Sequence, residues 1–467
     1  MLLDWPALAD GSADAFDGES VEIIGWMAPA EFAPHHDYFL LASEALCCFG
    51  CLPSDPGAAI EIFASEPIAI QGRAIRLTGI LRRLVDDPAG WRYQLRAARL
   101  IETAEMPAAI TRRGLLAAGA LLSLGLSGPR LAQAADRTDA AVAIVLDGTV
   151  TVDLHSHAGR VLGRHKILDD IPFEDVAAPM RAGGMAVICL AIVADALATQ
   201  VTQDRRISAF RQPAPGELYA WSRQAFARAR ALIADQKLAV IDDAAGFRAA
   251  SRERPSVIVA AEGADFLEGN LDRIDEAQAA YQLRNLQLTH YRVNELGDIQ
   301  TEAPVHGGLT DFGAAVIRRC NALGVVVDIA HGTLDLVRRA TQVTSKPLIL
   351  SHTSLADEPK PRSRLISVEH ARLVADTGGV VGIWPPSSVF ETLSAFAGGI
   401  ARMVDAIGID HVGLGSDMLG LLTPSVFPTY RDLPALAAAL RDQGFHAEEI
   451  GKILGGNYTR AFLATIG

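Results

Sequence analysis

The chain has 467 residues, 50% of them hydrophobic, with 42 basic against 55 acidic side chains and a net charge of −13. That acidic surplus disfavours a polyanionic partner, so no nucleic-acid binding is expected. Five cysteines in a chain of this length do not make a disulfide framework, and no repeat stands out, which leaves room for a barrel of about 250 to 320 residues and a small domain.

Residues 1–105 read as a small all-β domain. Short β-like stretches run from Val21 to Trp26, Tyr38 to Leu41, Ile60 to Phe63, Ala74 to Leu84 and Trp91 to Ile101, separated by Gly, Pro and Asp turns. An OB-like barrel is the expected form. The Cys47-Cys48-x-x-Cys51 cluster has the residue type for a metal or for oxidation, but no second motif in the domain completes four ligands, so packing or a surface thiol set is expected. The sequence assigns this domain no role.

Residues 106–140 belong to neither neighbour. Thr111-Arg112-Arg113-Gly114-Leu115-Leu116 opens an apolar stretch to Leu126, followed by the small-residue site Leu131-Ala132-Gln133-Ala134. This order of charged, apolar and cleavage regions resembles a twin-arginine export signal. It implies a periplasmic or membrane-associated protein, with residues 114–128 as the membrane contact, above all if translation starts at Met106. The apolar run is shorter than the roughly 20 residues of a membrane span. As a mere linker helix the segment would imply a cytoplasmic protein.

From residue 141 to 467 the pattern changes to α/β. Apolar runs rich in Val, Ile and Leu occur at 150–155, 185–193, 257–262, 286–290, 325–331, 348–352, 380–384 and 412–417. Their apolar residues are continuous, which marks strands buried on both faces. Helical periodicity lies between most of them, for example over Phe312–Leu323 and Val368–Thr377. Eight alternating units predict a (β/α)8 TIM barrel, whose working residues collect at the C-terminal strand ends. A doubly wound open sheet is the competing fold, but no Gly-x-Gly-x-x-Gly turn follows the first strand.

Five of these runs end in metal-ligand residue types. His155 and His157 flank Ser156, and strand residues two apart project to one side, so the pair makes half of a metal site. Glu262, His331, His352 and Asp417 terminate four other runs. A single His after an apolar run is usually a core or cap residue. Ionisable groups at five strand ends of one barrel instead converge on one rim.

The segments Ala261-Glu262-Gly263, Leu288-Thr289-His290 with Asn294, Gly308-Leu309-Thr310-Asp311-Phe312-Gly313, Asp328-Ile329-Ala330-His331, Ser351-His352-Thr353, Gly378-Gly379-Val380-Val381, Gly413-Leu414-Gly415-Ser416-Asp417 and Gly455-Gly456-Asn457 carry a resemblance. In order and spacing, the chain from about Thr149 onward resembles the renal or membrane dipeptidase family, zinc peptidases of the amidohydrolase-type barrel class. The resemblance implies a binuclear site with two zinc ions. Glu262 would bridge them, His155, His157 and Asp417 would complete one shell, and His331 with His352 would hold the other ion. It further implies that His290 binds substrate and stabilises the oxyanion, and that Arg364, twelve residues after His352, clamps the terminal carboxylate of a small dipeptide. Arg362 competes for that role, and a surface or capping role for Arg364 is the alternative. Two zinc ions sharing a water can bring its pKa from 15.7 towards about 7. Asp417 would then take the proton and pass it to the leaving amine. A homodimer is compatible with the resemblance.

Two departures bear on substrate choice. The family's first motif usually reads His-x-Asp, whereas this chain has His155-Ser156-His157, so the site carries one negative charge fewer. Met418-Leu419-Gly420 stands where the family tends towards an aromatic residue and a second Asp. Neither change removes a ligand. The rival activities are an N-acyl amino acid or lactam hydrolase on the same barrel, or a non-catalytic metal-binding scaffold, against which the presence of both Asp417 and His290 argues. Asp153 is either a support for the ligands or a plain strand-end carboxylate. His165, His306, His370, His411 and His446 are expected to be structural or on the surface.

Overall fold

A computed structural model describes residues 2–29, 35–43, 58–69, 74–84, 92–103, 148–163, 166–167, 172–202 and 206–467, and the chain divides into two compact units. Cys47, Cys48, Cys51, residues 106–140 and His165 lie outside the described residues.

In the first unit, β1 (Leu2–Leu3) leads into helix α1 (Trp5–Asp10), which the side chain of Asp4 caps. Five longer strands follow, β2 (Ser20–Pro29), β3 (His35–Ala42), β4 (Ala59–Ala69), β5 (Ile75–Arg83) and β6 (Tyr93–Thr103). They join in the order β2-β3-β4-β6-β5, and β5 pairs back with β2 to close the sheet. This is the expected small β barrel. Along β5, Ile75, Leu77 and Leu81 are buried while Arg76 and Thr78 lie between them, a period of two that turns one face to a core shared with Ile23, Phe39, Ile62 and Leu95.

The second unit is an eight-stranded parallel barrel with helices between its strands. Its strands are β7 (Val152–Ser156), β8 (Val187–Val193), β9 (Ser256–Glu262), β10 (Leu283–Gln287), β11 (Val326–Asp328), β12 (Leu348–Thr353), β13 (Val380–Ile383) and β14 (Val412–Leu414). Each pairs in parallel with its sequence neighbours, and β14 returns to β7 through Leu414 and Asp153. A two-residue strand, Ala239–Val240, adds to the start of β9. Helices include α2 (Ala177–Gly183), α3 (Glu217–Asp235), α4 (Asp272–Tyr281), α5 (Asp311–Leu323), α6 (Leu334–Val343), α7 (Val368–Ala375) and α8 (Leu393–Ile407). Side chains of Thr310, Thr333, Ser367 and Thr392 accept the orphan N–H groups at the starts of α5 to α8, which fixes where each loop turns into helix.

Two further helices, α9 (Leu433–Asp442) and α10 (Asn457–Ile466), end the chain. Tyr458 and Phe462 of α10 join the buried cluster of Val152, Cys189, Val326 and Val380. Gly455 allows this approach, since a Cβ there would stand 3.0 Å from Thr151 Cα and collide with the carbonyl of Val150. Asn457 Nδ2 donates to the carbonyls of Ile409 and Val412 at 2.7 and 2.8 Å, tying α10 to β14. No helix among the described residues is long and apolar enough to cross a membrane.

Candidate active site

The C-terminal ends of the barrel strands bring His155, His157, Glu262, His290, His331, His352 and Asp417 to one place. Glu262, the last residue of β9, is the hub. Its Oε1 lies 3.5 Å from His155 Nε2, 3.3 Å from His290 Nε2, 3.3 Å from His331 Nε2 and 3.5 Å from His352 Nε2. Its Oε2 faces the other way, 3.2 Å from His157 Nε2, which is 3.6 Å from Asp417 Oδ1. Three overlapping triads have metal-ligand spacing: His155, Glu262 and His352; His155, His157 and Asp417; Glu262, His290 and His331. The ligand set is thus brought together, with His155 in two triads and His290 as near as any ligand.

The backbone holds these groups with little freedom. Asp417 N–H donates to the carbonyl of His155 at 3.0 Å, and His157 N–H to that of Met418 at 2.9 Å, so β7 and the loop after β14 lock together. Asp153 lies beneath them, fully buried. It accepts from Ser416 N–H at 2.8 Å, Ser416 Oγ at 2.5 Å and Tyr430 Oη at 2.8 Å, which leaves it a support for the strand ends and no ligand. His331 and Asp417 carry positive φ of 68° and 49°, an uncommon conformation for residues with a Cβ that costs about 1–3 kcal/mol and clusters at functional sites.

The chemistry of the donor set fits metal cations. His157 Nδ1–H donates to the carbonyl of Ala191 at 3.0 Å, a bond that turns Nε2 towards the centre as the nitrogen with the lone pair. That nitrogen stands 3.1 Å from His155 Nε2, and His331 Nε2 stands 3.0 Å from His352 Nε2. Burial first, then neighbouring positive charge, holds His331 and His352 well below the ordinary imidazole pKa, so both are neutral imidazoles with a lone pair to offer. Glu262 is held well below the carboxylate range, because His290 and His155 outweigh the cost of its burial. Burial and the charge of Glu262 push Asp417 up to about 6 against the pull of His157 and His155.

Arg364 reaches the site and Arg362 does not. Arg364 Nη1 donates to Gln300 Oε1 at 2.6 Å and Nη2 to the carbonyl of His352 at 3.3 Å, and its guanidinium lies 5.4 Å from the Trp384 ring centre. Its buried Nε–H has no hydrogen-bond partner. Arg362 is exposed. His306 bonds the carbonyl of Asn294, His411 that of Gly379, and His446 caps a short helix, while His370 is buried in α7; none joins the ligand triads.

Several working groups carried no recognised sequence signal. Asp195, just past β8, holds His290 Nδ1 at 2.7 Å. Its charge and that of Glu262 overcome the effect of burial and bring His290 up to about 9. Ser351 Oγ meets His352 Nδ1 at 2.9 Å and His155 Nδ1 at 3.5 Å, and Asp328 accepts the Ser351 N–H beneath them. Tyr291, Gln300 and Trp384 surround Arg364. The usable signal was an acidic residue two positions beyond the apolar run that ends at Val193, whereas the other strand-end groups close their runs directly.

A closed parallel barrel with five imidazoles and two carboxylates converging on one rim defines a barrel of the metal-dependent hydrolase type. The family model for membrane dipeptidases, peptidase family M19, matches residues 152–465, and the chain belongs to that family. It is 32% identical over 187 residues to dipeptidase aclJ of Aspergillus oryzae, a stretch covering 38% of this chain and 44% of that protein. To dipeptidase verJ of Clonostachys rogersoniana it is 30% identical over 185 residues, covering 38% and 47%. The alignment thus spans less than half the length of these relatives. Among solved structures, a metallopeptidase from Rhodobacter sphaeroides liganded with a phosphinate mimic of the dipeptide L-Ala-D-Ala shares 22% identity at a TM-score of 0.56, over 68% of this chain and 99% of that one. The probable dipeptidase PvdM from Pseudomonas aeruginosa shares 16% identity at a TM-score of 0.59, over 71% and 99%. These structural likenesses are likenesses of fold.

Proposed function

We propose that the barrel is a metallo-dipeptidase that hydrolyses small dipeptides bearing a free carboxylate, with two zinc ions shared through Glu262. The observation that carries this is the two-sided use of Glu262, whose Oε2 faces His157 while Oε1 faces His331, His352, His155 and His290. His155, His157 and Asp417 would hold one ion, and His331 with His352 the other. Metal ions bound there would supply Lewis-acid chemistry.

The remaining steps belong to side chains. Asp417, whose Oδ1 faces the centre beside His157, takes the proton of the attacking water and returns it to the leaving amine. His290 aims Nε2 at the centre, where oxyanion charge develops on the scissile carbonyl. Arg364, with its unpartnered Nε–H, receives the terminal carboxylate. The dipeptide mimic bound by the Rhodobacter metallopeptidase supports the choice of ligand class.

The test is an assay of the zinc-reconstituted and metal-stripped protein on a mixed panel of L- and D-dipeptides, with Glu262→Gln as control. Zinc-dependent cleavage lost in the control is the expected result. Cleavage confined to N-acyl amino acids or lactams would transfer the site to that activity, and no turnover of any kind would leave a metal-binding scaffold. We also propose that residues 106–140 act as an export segment ahead of a barrel beginning near residue 141. Cell fractionation finding the barrel only in the cytoplasm would reject that placement.

A further inference from the structure

We infer that Asp195 is a positioning residue that sets the spacing between the group meeting the scissile carbonyl and the group meeting the substrate carboxylate. The inference rests on the dipeptidase activity proposed above.

Asp195 is completely buried in the turn after β8. Its own carbonyl is fixed by the N–H of Ala198 at 2.8 Å and by Thr199 Oγ1 at 3.3 Å, so the turn carrying it is rigid. Its two carboxylate oxygens then hold two consecutive residues beyond β10. Oδ1 lies 2.7 Å from His290 Nδ1, and Oδ2 accepts the backbone N–H of Tyr291 at 3.0 Å. With Nδ1 so engaged, the imidazole has one orientation that presents Nε2 to Glu262, and a flipped ring would set carbon against both partners.

The second oxygen extends this control to the other end of the substrate. Tyr291 packs edge-on against His290 and His331, with ring centres 4.6 and 4.8 Å apart, and its phenol lies beside Arg364, whose positive charge acts on it. Asp195 therefore orients His290 directly and Arg364 through Tyr291.

A carboxylate is needed because it offers an acceptor to each of two donors. Asparagine of the same shape has one acceptor oxygen, and its NH2 would face either the ring N–H or the Tyr291 N–H. The other ring nitrogens with a partner on the outer side use weaker groups, the Ala191 carbonyl for His157 and the Ser351 hydroxyl for His352.

Asp195→Asn and Asp195→Ala, made in the full chain and loaded with zinc, test this. Metal content should equal that of the unsubstituted protein, while kcat/KM on free-acid dipeptides falls about 10- to 100-fold. The preference for free-acid over amidated dipeptides should shrink by about tenfold, because Arg364 loses its setting. Imidazole 15N spectra or a crystal structure of Asp195→Asn should show the His290 ring turned or its Nδ1 bond lost. An unchanged substrate preference with an unchanged His290 ring overturns the inference, as does a rate loss that follows only from a lowered unfolding midpoint. If the unsubstituted protein cleaves no dipeptide, the dipeptidase proposal fails by itself, and the ring orientation in Asp195→Asn still decides whether Asp195 positions His290.

Discussion

His331 Nε2 and His352 Nε2 lie 3.0 Å apart, and both face the same oxygen of Glu262. Without a cation, one of these neutral imidazoles must donate its Nε2–H to the other, whereas a cation among them would take both lone pairs. Metal removal should therefore destabilise the barrel. A ligand at 100 times its Kd adds about 2.7 kcal/mol to the native state. We expect a chelator to lower the unfolding midpoint by several degrees and zinc to restore it, as read by calorimetry. A midpoint indifferent to chelation would remove the metal from the folded ground state.

Gly420 should tolerate no side chain. A Cβ there would collide with Asp417 Oδ1 and stand 2.7 Å from His157 Cδ2, so it would displace two residues of one triad together. Gly420→Ala is expected to lower bound zinc from two ions to one by elemental analysis. Activity should fall by at least about 100-fold, with the fold kept by circular dichroism.

Arg364→Lys keeps the charge and loses the planar fork. A charge-assisted bond of about 1.5 to 3 kcal/mol corresponds to roughly 10- to 150-fold in kcat/KM on free-acid dipeptides. Amidated dipeptides should be nearly unaffected. Equal losses on both substrates would take Arg364 out of carboxylate recognition.

Asp298 predicts an acid-sensitive loop. It is fully buried, yet the N–H groups of Val305, Gly308 and His306 outweigh burial and hold its carboxyl below the usual value of 3.8. A lowered folded-state pKa stabilises the protein fully above the unfolded value of 3.8 and loses that contribution as pH falls through the folded value. Asp298→Asn should cost about 1–3 kcal/mol at neutral pH and flatten the loss of stability below about pH 4. Gln300, which holds Arg364, sits on the same loop, so the substitution should also raise KM. Parallel acid-denaturation curves for the two proteins would dismiss this role.

The barrel and the cluster of residues at its rim were legible for one physical reason. An ionisable group directly after a doubly buried apolar run is costly unless it is used, and His155, Glu262, His331, His352 and Asp417 each stand there. Asp195 occupies a similar place after β8, but its partner His290 lies 95 residues further on and only barrel closure joins them. Trp384 read as a strand end without a role, because its use depends on the guanidinium of Arg364, which a loop delivers from the adjacent strand. Asp328 and Ser351 sit inside the ladder, where sequence shows only a strand. In the first unit alternation located the strands. Helix α1 escaped because six residues are too few to show helical periodicity, although Asp4 and Pro6 supply its start signals.

The seam between β7 and β14 joins Asp153 to Leu414, and Gly455 lies against Val150. The first strand of the barrel cannot be paired on its outer edge until Leu414 of the eighth has been synthesised. During that interval its Val- and Leu-rich edge has unpaired N–H and C=O groups, and long-range pairing of this kind is slow. Closure of the barrel is therefore a late event in the folding of the second unit, because its first strand waits for its eighth.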